Sequence, residues 1–367
     1  MLSQTVLEEP YPVKSLKISS QPLSIPESRI FTFPNRLGNP WQPDVMEMVS
    51  QREQIDPHDV EMSPKTGSTG DIRFHVKRAK SLEVLVNRPF SLINITKKIY
   101  KDSRKKLSSA IEAPSTHYLF DTRDEIFWHD GNIAHILCNV MPILLELRRQ
   151  EKDVTVILRQ RASDISKQIY ALMGFPTIST DKAVKGNILA GEAHNQDLQL
   201  WRVGCFGRYF EQFESLLIPQ SDFPEKVFIS RRNSRIITNE SEIDLRLSKF
   251  GFQKVYFEDL SLLEQWSLAR NAKIVVGIHG AALANLAFNR NAVKLIELMH
   301  PGYATRFYRR CIASIDGHWC GVTAQMPKEF IKDLEFFPKP RLFAGYDLKI
   351  DPKSLGLALE FLESLGT

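Results

Sequence analysis

From about residue 116 the chain alternates short apolar runs with stretches whose apolar residues recur at helical spacing, the pattern of successive β-α units. THYLF and EIFW predict short strands, and Asn132 is placed to cap a helix bearing Ile133, Ile136, Leu137, Val140, Leu144 and Leu147, with Pro142 expected to kink it. VTVIL at 154–158 predicts a strand, followed by a helix capped by Ser163, lined by Ile165, Ile169 and Leu172, and stopped at Gly174. The stretch 175–225 is less regular. FESLLIP reads as the end of a helix, and the polar, proline-containing PQSDFPEK after it marks a hinge near 215–225.

Beyond the hinge the alternation sharpens. VFIS predicts a strand, residues 243–250 a helix ending at Gly251, KVYF another strand, and Ser261 with Glu264 a capping box for the next helix. KIVVG at 273–277 predicts an apolar strand that empties into HGAALANLAF, read as a strand-to-helix turn. VKLIEL at 293–298 predicts a further buried strand, 303–314 a helix, WCGVTA a short strand, and Asp351 with Pro352 the start of a final helix carrying Leu355, Leu359 and Leu362. The expected class is therefore α/β with parallel sheets. Residues 1–70 hold no sustained period and read as an irregular N-terminal arm integrated with the first domain. The expected domains are 71–218 and 219–345, with 346–367 a C-terminal helix free to cross back.

Composition narrows the class. At 367 residues, 43% apolar and 25% charged, the chain has core enough for one large or two medium domains, and bulk disorder is excluded. The cysteines at 138, 205, 311 and 320 have neither the density of a disulfide framework nor the paired spacing of a zinc or iron–sulfur site, and read as buried thiols of a reducing compartment. The start MLSQTVLEEP lacks a basic region followed by an apolar run, and no stretch reaches the roughly 18 apolar residues of a span. A soluble cytoplasmic protein is expected, with room for peripheral membrane attachment. The net charge of +5 argues for no particular partner. The basic cluster KKIYKDSRKK at 97–106 reads first as a solvated face and second as an attraction for an anionic acceptor or headgroup. Its thin aromatic content speaks against nucleic acid.

Candidate chemistry gathers at strand ends. In the turn from His279 through Gly280, Ala281 and Ala282 to Asn285, small residues permit close backbone approach to a ligand. Amides at the helix start can receive phosphate charge, and His279 can donate to phosphate or to a leaving group. Tight helix–sheet packing is the plainer alternative, since the turn is neither the full dinucleotide fingerprint nor a Walker loop. Ser230, Arg231 and Arg232 follow another strand toward the same carboxyl edge, where arginines can meet phosphate bidentately or stay solvated. Asn239, Glu240 and Glu242 read as ordinary helix-start residues, one of which could orient Arg231. Glu297, inside an apolar strand, must be paired or used: a ribose hydroxyl and a salt bridge are equal alternatives. Asp124, Glu125, Trp128, His129, Asp130, Asn132 and His135 cluster at the kinked helix. His135 or a nearby carboxylate could take a proton from an acceptor hydroxyl, and His135 reads equally well as a satisfied residue behind the site.

The order ISRR, NESEI, GF, SLLEQWSLARNAKIVVGIHGAALAN and VKLIEL over 229–298 resembles glycosyltransferase family 61, and GNIAHILCNVMP at 131–142 looks like the family's histidine-containing acceptor-side motif. The resemblance spans roughly 120–315. Family members commonly carry a carboxylate where Asn139 stands and a glycine where Ala282 stands. The resemblance implies a GT-B-like architecture, two Rossmann-like domains facing a central cleft. It also implies inverting transfer from a nucleotide sugar, UDP-sugar favoured, to a hydroxyl of a glycan or glycoconjugate, without an obligatory metal, in the manner of bacterial polysaccharide biosynthesis. His135 is then the first choice of base, with Asp130 and Asp124 in reserve. Arg231, Arg232 and His279 form the phosphate-side group, Ser230, Gly280, Ala281 and Asn285 contact the donor, and Glu297 meets the ribose. A lipid-linked acceptor and a homodimer stay open, and no nucleic-acid partner is expected. The competing reading is a catalytically impaired nucleotide-sugar or glycan-binding relative. A nicotinamide enzyme lacks support, because HGAALAN is not the glycine-rich dinucleotide turn.

Overall fold

The computed structural model describes residues 6–7, 14–18, 23–32, 60–62, 65–67, 72–80, 111–113, 118–123, 132–191, 210–219, 223–300, 307–325 and 347–365. The basic cluster at 97–106, the EIFW run, Asp124, Asp130 and Cys205 lie outside these residues. Contacts divide the chain into two units, residues 1–20 with 70–203 and residues 21–69 with 204–367. The stretch 21–69, expected with the first domain, clusters with the second unit: its Ser28–Thr32 strand pairs in parallel with His318–Thr323.

In the first unit one sheet runs in the order Val6–Leu7, Ile72–Lys80, Val184–Gly191, Tyr118–Asp121, Val154–Leu158, Thr177–Ser179. Val154–Leu158 is buried along its whole length and has a parallel neighbour on each side, which is why VTVIL is continuously apolar rather than alternating. Ser163 caps the following helix, Asp164–Leu172, and Gly174 leaves it at φ 72°, a left-handed backbone that glycine adopts without steric cost. Asn132 caps Ile133–His135 by accepting from the Ala134 amide. The kink expected at Pro142 is instead a π-helical run, Ile136–Val140, after which a new α-helix, Met141–Arg149, begins with Pro142 in its first turn. Proline has no amide to donate and its ring crowds the preceding turn, so a widened turn followed by a fresh helix start removes both conflicts.

The second unit holds a sheet in the order Gln253–Tyr256, Lys226–Ser230, Ile274–Ile278, Lys294–Met299, His318–Thr323, Ser28–Thr32, Val60–Met62, parallel throughout except for the last pairing. Gln253–Tyr256 lies on one side of Lys226–Ser230 and Ile274–Ile278 on the other. The winding therefore reverses between these strands, and the carboxyl ends at such a reversal are where open parallel sheets bind ligands. One core joins Phe228, Val276, Ile296 and Val322 of the sheet with Ile243 and Leu247 of the helix Glu240–Lys249 and with Leu355, Leu359 and Leu362 of Pro352–Ser364. That final helix, capped by Asp351, packs on the His318–Thr323 and Ser28–Thr32 strands of its own unit. The Leu262–Asn271 helix opens with the Ser261–Glu264 capping box and packs on Ala281–Phe288, where Trp266 stacks on Phe288 with ring centroids 4.5 Å apart. Ala281–Phe288 itself, expected as an α-helix, is a 3₁₀ helix. An almost uninterrupted apolar run carries no period, so its sequence cannot separate 3.6 residues per turn from 3.0.

Asn289 ties these elements together. Its Nδ2 donates to the Ala269 and Ala272 carbonyls at 2.8 and 2.7 Å, and its Oδ1 accepts from the Asn291 and Val293 amides at 2.9 and 3.2 Å. The residue is 1% exposed, so Asn289→Ala strands several buried polar groups at about 1–3 kcal/mol each. The expected loss is about 3 kcal/mol or more of unfolding free energy in urea. A loss under about 1 kcal/mol would mean that these bonds contribute little net stability.

Candidate functional site

ISRR and HGA emerge at the two strand ends that flank the winding reversal. A Cβ added at Gly280 would lie 2.5 Å from Arg231 Nη1 and 3.3 Å from Arg235 Nη2, so the two guanidiniums occupy the space that any other side chain would need. The Gly280 backbone is extended, with φ 168°; space, and not the dihedral, is what requires glycine. The turn is pinned on both sides: Arg235 Nη1 donates to the His279 carbonyl and the Tyr308 hydroxyl to the Gly280 carbonyl, each at 2.6 Å. Arg231 Nη2 donates to Ser234 Oγ at 3.2 Å, whereas its Nη1 is buried without a hydrogen-bond partner among the described residues. Burial pulls the Arg231 guanidinium below its ordinary pKa, and Glu258 and Tyr308 counter this in part. A half-desolvated guanidinium with an unused N–H suits an anionic group.

His279 Nδ1 bonds one oxygen of Glu297, and the other oxygen accepts from Trp319 Nε1 at 2.6 Å. Glu297 is 0% exposed. Of the two expectations for Glu297, a ribose hydroxyl or an internal pair, the described contacts are internal: both carboxylate oxygens are engaged inside the protein. Asn285, expected to touch the donor, is also fully buried, and its Nδ2 donates to Gln265 Oε1 at 3.2 Å and to the Ala282 carbonyl at 2.9 Å. It braces the Leu262–Asn271 helix. The Ser230 hydroxyl donates a hydrogen bond to Glu240, which accepts from the Tyr256 hydroxyl at 3.2 Å as well. Arg232 pairs with Asp259, with one bond at 2.6 Å, and lies over the Tyr256 ring at 4.1 Å from its centroid. Ala281 is the half-buried first residue of the 3₁₀ run. The structure thus brings together Arg231, His279 and Gly280, adds Arg235, Tyr308 and Trp319, and engages Ser230 and Arg232 with acidic partners.

In the first unit, the spacing of one helical turn sets His135 Nδ1 2.9 Å from Asn139 Nδ2. Burial lowers the His135 pKa. Asn139 Oδ1 is buried and has no hydrogen-bond partner among the described residues. Sequence reasoning missed Tyr308, Arg235 and Trp319 because each is defined by what it reaches across the fold: a helix position, an irregular loop and a strand position carry no local mark of those contacts. Among the described residues no group of three or more His, Cys, Asp or Glu is arranged to hold a metal, no helix is long and apolar enough to cross a membrane, and Cys138, Cys311 and Cys320 are buried free thiols.

The fold and this strand-end site define an α/β protein with an anion-suited turn at the winding reversal of a parallel sheet. Residues 78–305 match the family model described as glycosyltransferase 61, and the chain belongs to that family. It is 34% identical over 100 residues to the EGF domain-specific O-linked N-acetylglucosamine transferase of Drosophila melanogaster, a stretch covering 25% of this chain and 19% of that protein. A solved structure with similarity is the dodecameric iron-containing heptosyltransferase TibC in complex with ADP-D-β-D-heptose, at a TM-score of 0.34 and 11% identity, covering 66% of this chain and 68% of that one.

His300 follows the Lys294–Met299 strand directly and is 3% exposed. Burial pushes its pKa from 6.5 down to about 4. Between those values the unfolded chain binds a proton that the folded protein refuses. This contribution to stability is therefore complete above pH 6.5 and is lost as pH falls toward 4. The expected decline is about 3 kcal/mol, read by urea unfolding at stepped pH. The slope should flatten in His300→Gln, and an unchanged slope in that variant would assign the acid sensitivity to other groups.

Proposed function

We propose that the protein is an inverting glycosyltransferase that moves a sugar from a nucleotide-sugar donor, UDP-sugar favoured, to a hydroxyl of a glycan or glycoconjugate, without an obligatory metal. Its two units are read as the two Rossmann-like domains of a GT-B-like enzyme, with the donor on the second. The observation that carries this reading is Arg231: its buried Nη1, without a hydrogen-bond partner among the described residues, lies against Gly280, at the strand ends where the winding reverses. As the sugar leaves, negative charge grows on the nucleotide's terminal phosphate. A guanidinium already stripped of water and aimed by its neighbours stabilises that charge without reorganising. His279, on the same turn, is the second phosphate-side group. On the acceptor side His135 is the base: an inverting displacement needs the acceptor proton removed as the new bond forms, and a histidine kept neutral by burial is ready to take it.

Family membership and the match to the fly N-acetylglucosamine transferase support the reaction class. The acceptor and the transferred sugar follow from pocket shape, so a donor-hydrolysis screen over UDP-sugars is the practical first assay. Arg231→Ala is expected to lower kcat about 100-fold at saturating donor, and an unchanged kcat would remove Arg231 from the leaving-group role. His135→Ala should abolish transfer to acceptor while slow donor hydrolysis persists. Full transfer in that variant would exclude His135 as the base.

A further inference from the structure

We infer that Glu297 is the positioning residue that sets which nitrogen of His279 works: its carboxylate holds a ring proton on Nδ1, leaving Nε2 as the atom through which His279 performs its chemistry. The inference deepens the donor-site reading and rests on it for its functional consequence. An ionised carboxylate only accepts hydrogen bonds; the Trp319 indole donates to one oxygen of Glu297 at 2.6 Å and His279 Nδ1 faces the other, which an ionised Glu297 can serve only as an acceptor from Nδ1–H. At 0% exposure the charge has no water to turn to, so it persists only where both oxygens are served. The His279 backbone is equally constrained, its amide donating to the Leu298 carbonyl at 2.8 Å and its carbonyl accepting from Arg235 at 2.6 Å. The ring is held at Nδ1 by Glu297 and packs edge-to-face on Tyr308, with centroids 5.6 Å apart.

The sheet is built to admit this contact. In register, Glu297 is flanked by Gly277 on one strand and Gly321 on the other. A Cβ at Gly321 would collide first with Met299 Cε and would lie 3.0 Å from Trp319 Cη2, and one at Gly277 would lie 2.6 Å from Leu283 Cδ2. Glycine on the His318–Thr323 strand thus leaves room for Met299 and for the indole beside the carboxylate. A glutamine has one oxygen for two donors: with that oxygen on the indole N–H its NH₂ faces Nδ1, which must then accept, so the ring proton is forced to Nε2. Removing the indole donor lifts that conflict, because the amide oxygen can then serve Nδ1–H alone.

The test is histidine-ring ¹H–¹⁵N spectra at neutral pH on the full chain, with His279 assigned by the signals lost in His279→Gln and the thermal midpoint recorded for every variant. Wild type and Trp319→Phe, which keeps the carboxylate, are expected to show a proton on Nδ1. Glu297→Gln should move His279 to the Nε2–H form or a mixture and lower donor-hydrolysis kcat about 10–100-fold. Glu297→Gln with Trp319→Phe should recover both the Nδ1 proton and several-fold of the lost turnover. A wild-type ring with Nδ1 unprotonated, which would place the proton on the carboxylic acid, or a ring unmoved by Glu297→Gln, overturns the inference. The spectra need no substrate. The expected ring signatures in a protein that uses no nucleotide sugar would keep the positioning role and remove the donor reading, whereas donor chemistry with an unmoved ring would remove the positioning role alone.

Discussion

Everything at the strand-end site depends on a side chain that is missing. At Gly280 the backbone leaves a space that the Arg231 and Arg235 guanidiniums fill, which puts two fixed cations within reach of one turn. Cations so close repel each other, and the fold offsets this locally. Arg235 spends a donor on the His279 carbonyl, Glu258 lies within electrostatic range of Arg231, and Glu297 places a negative charge behind the ring of His279. The result is a face on which Arg231 Nη1 has no partner among the described residues, with the Glu297 carboxyl held in the interior. Such an arrangement favours an anion over a neutral ligand, because the anion supplies the partner that Arg231 Nη1 lacks among the described residues.

Much of this fold was legible in the sequence because its signals are local. Gly174 and Gly251 mark helix ends that need positive φ, Ser163 and Ser261 are caps whose partners lie three residues on, and the parallel strands are the continuous apolar runs. ISRR and HGA could be placed at strand ends for the same reason. The direction in which a side chain points from a buried strand was not legible. Glu297 reads alike whether it faces a ligand or the core, and only its register between two glycines and the distant Trp319 decides the matter. Asn285 is a parallel case: an Asn beside a strand-end turn invites a ligand role, and its partner Gln265 lies on a helix fixed by tertiary packing, which no local pattern marks. The π-helical run before Pro142 shows the reverse, a proline whose effect was expected at its own position and is absorbed by the turn ahead of it.

The two histidines of interest are held by chemically different neighbours, and the difference matters for what each can do. His279 meets a carboxylate, which accepts but never donates, so while Glu297 stays ionised the ring proton has one place on that side. His135 meets an amide, which can do either. With Nδ2 toward the ring, Nδ1 accepts, the ring proton sits on Nε2, and Asn139 Oδ1 is left buried without a partner among the described residues. With the amide turned over, Oδ1 accepts Nδ1–H, the orphaned oxygen is satisfied, and Nε2 becomes a lone pair able to take a proton. Turning an amide exchanges groups of nearly equal size, so packing gives little preference and hydrogen bonding decides. A carboxylate at this position would add a charge that favours the imidazolium. The amide adds none, and with burial lowering the His135 pKa the ring stays neutral, the protonation state that a base must have before it acts.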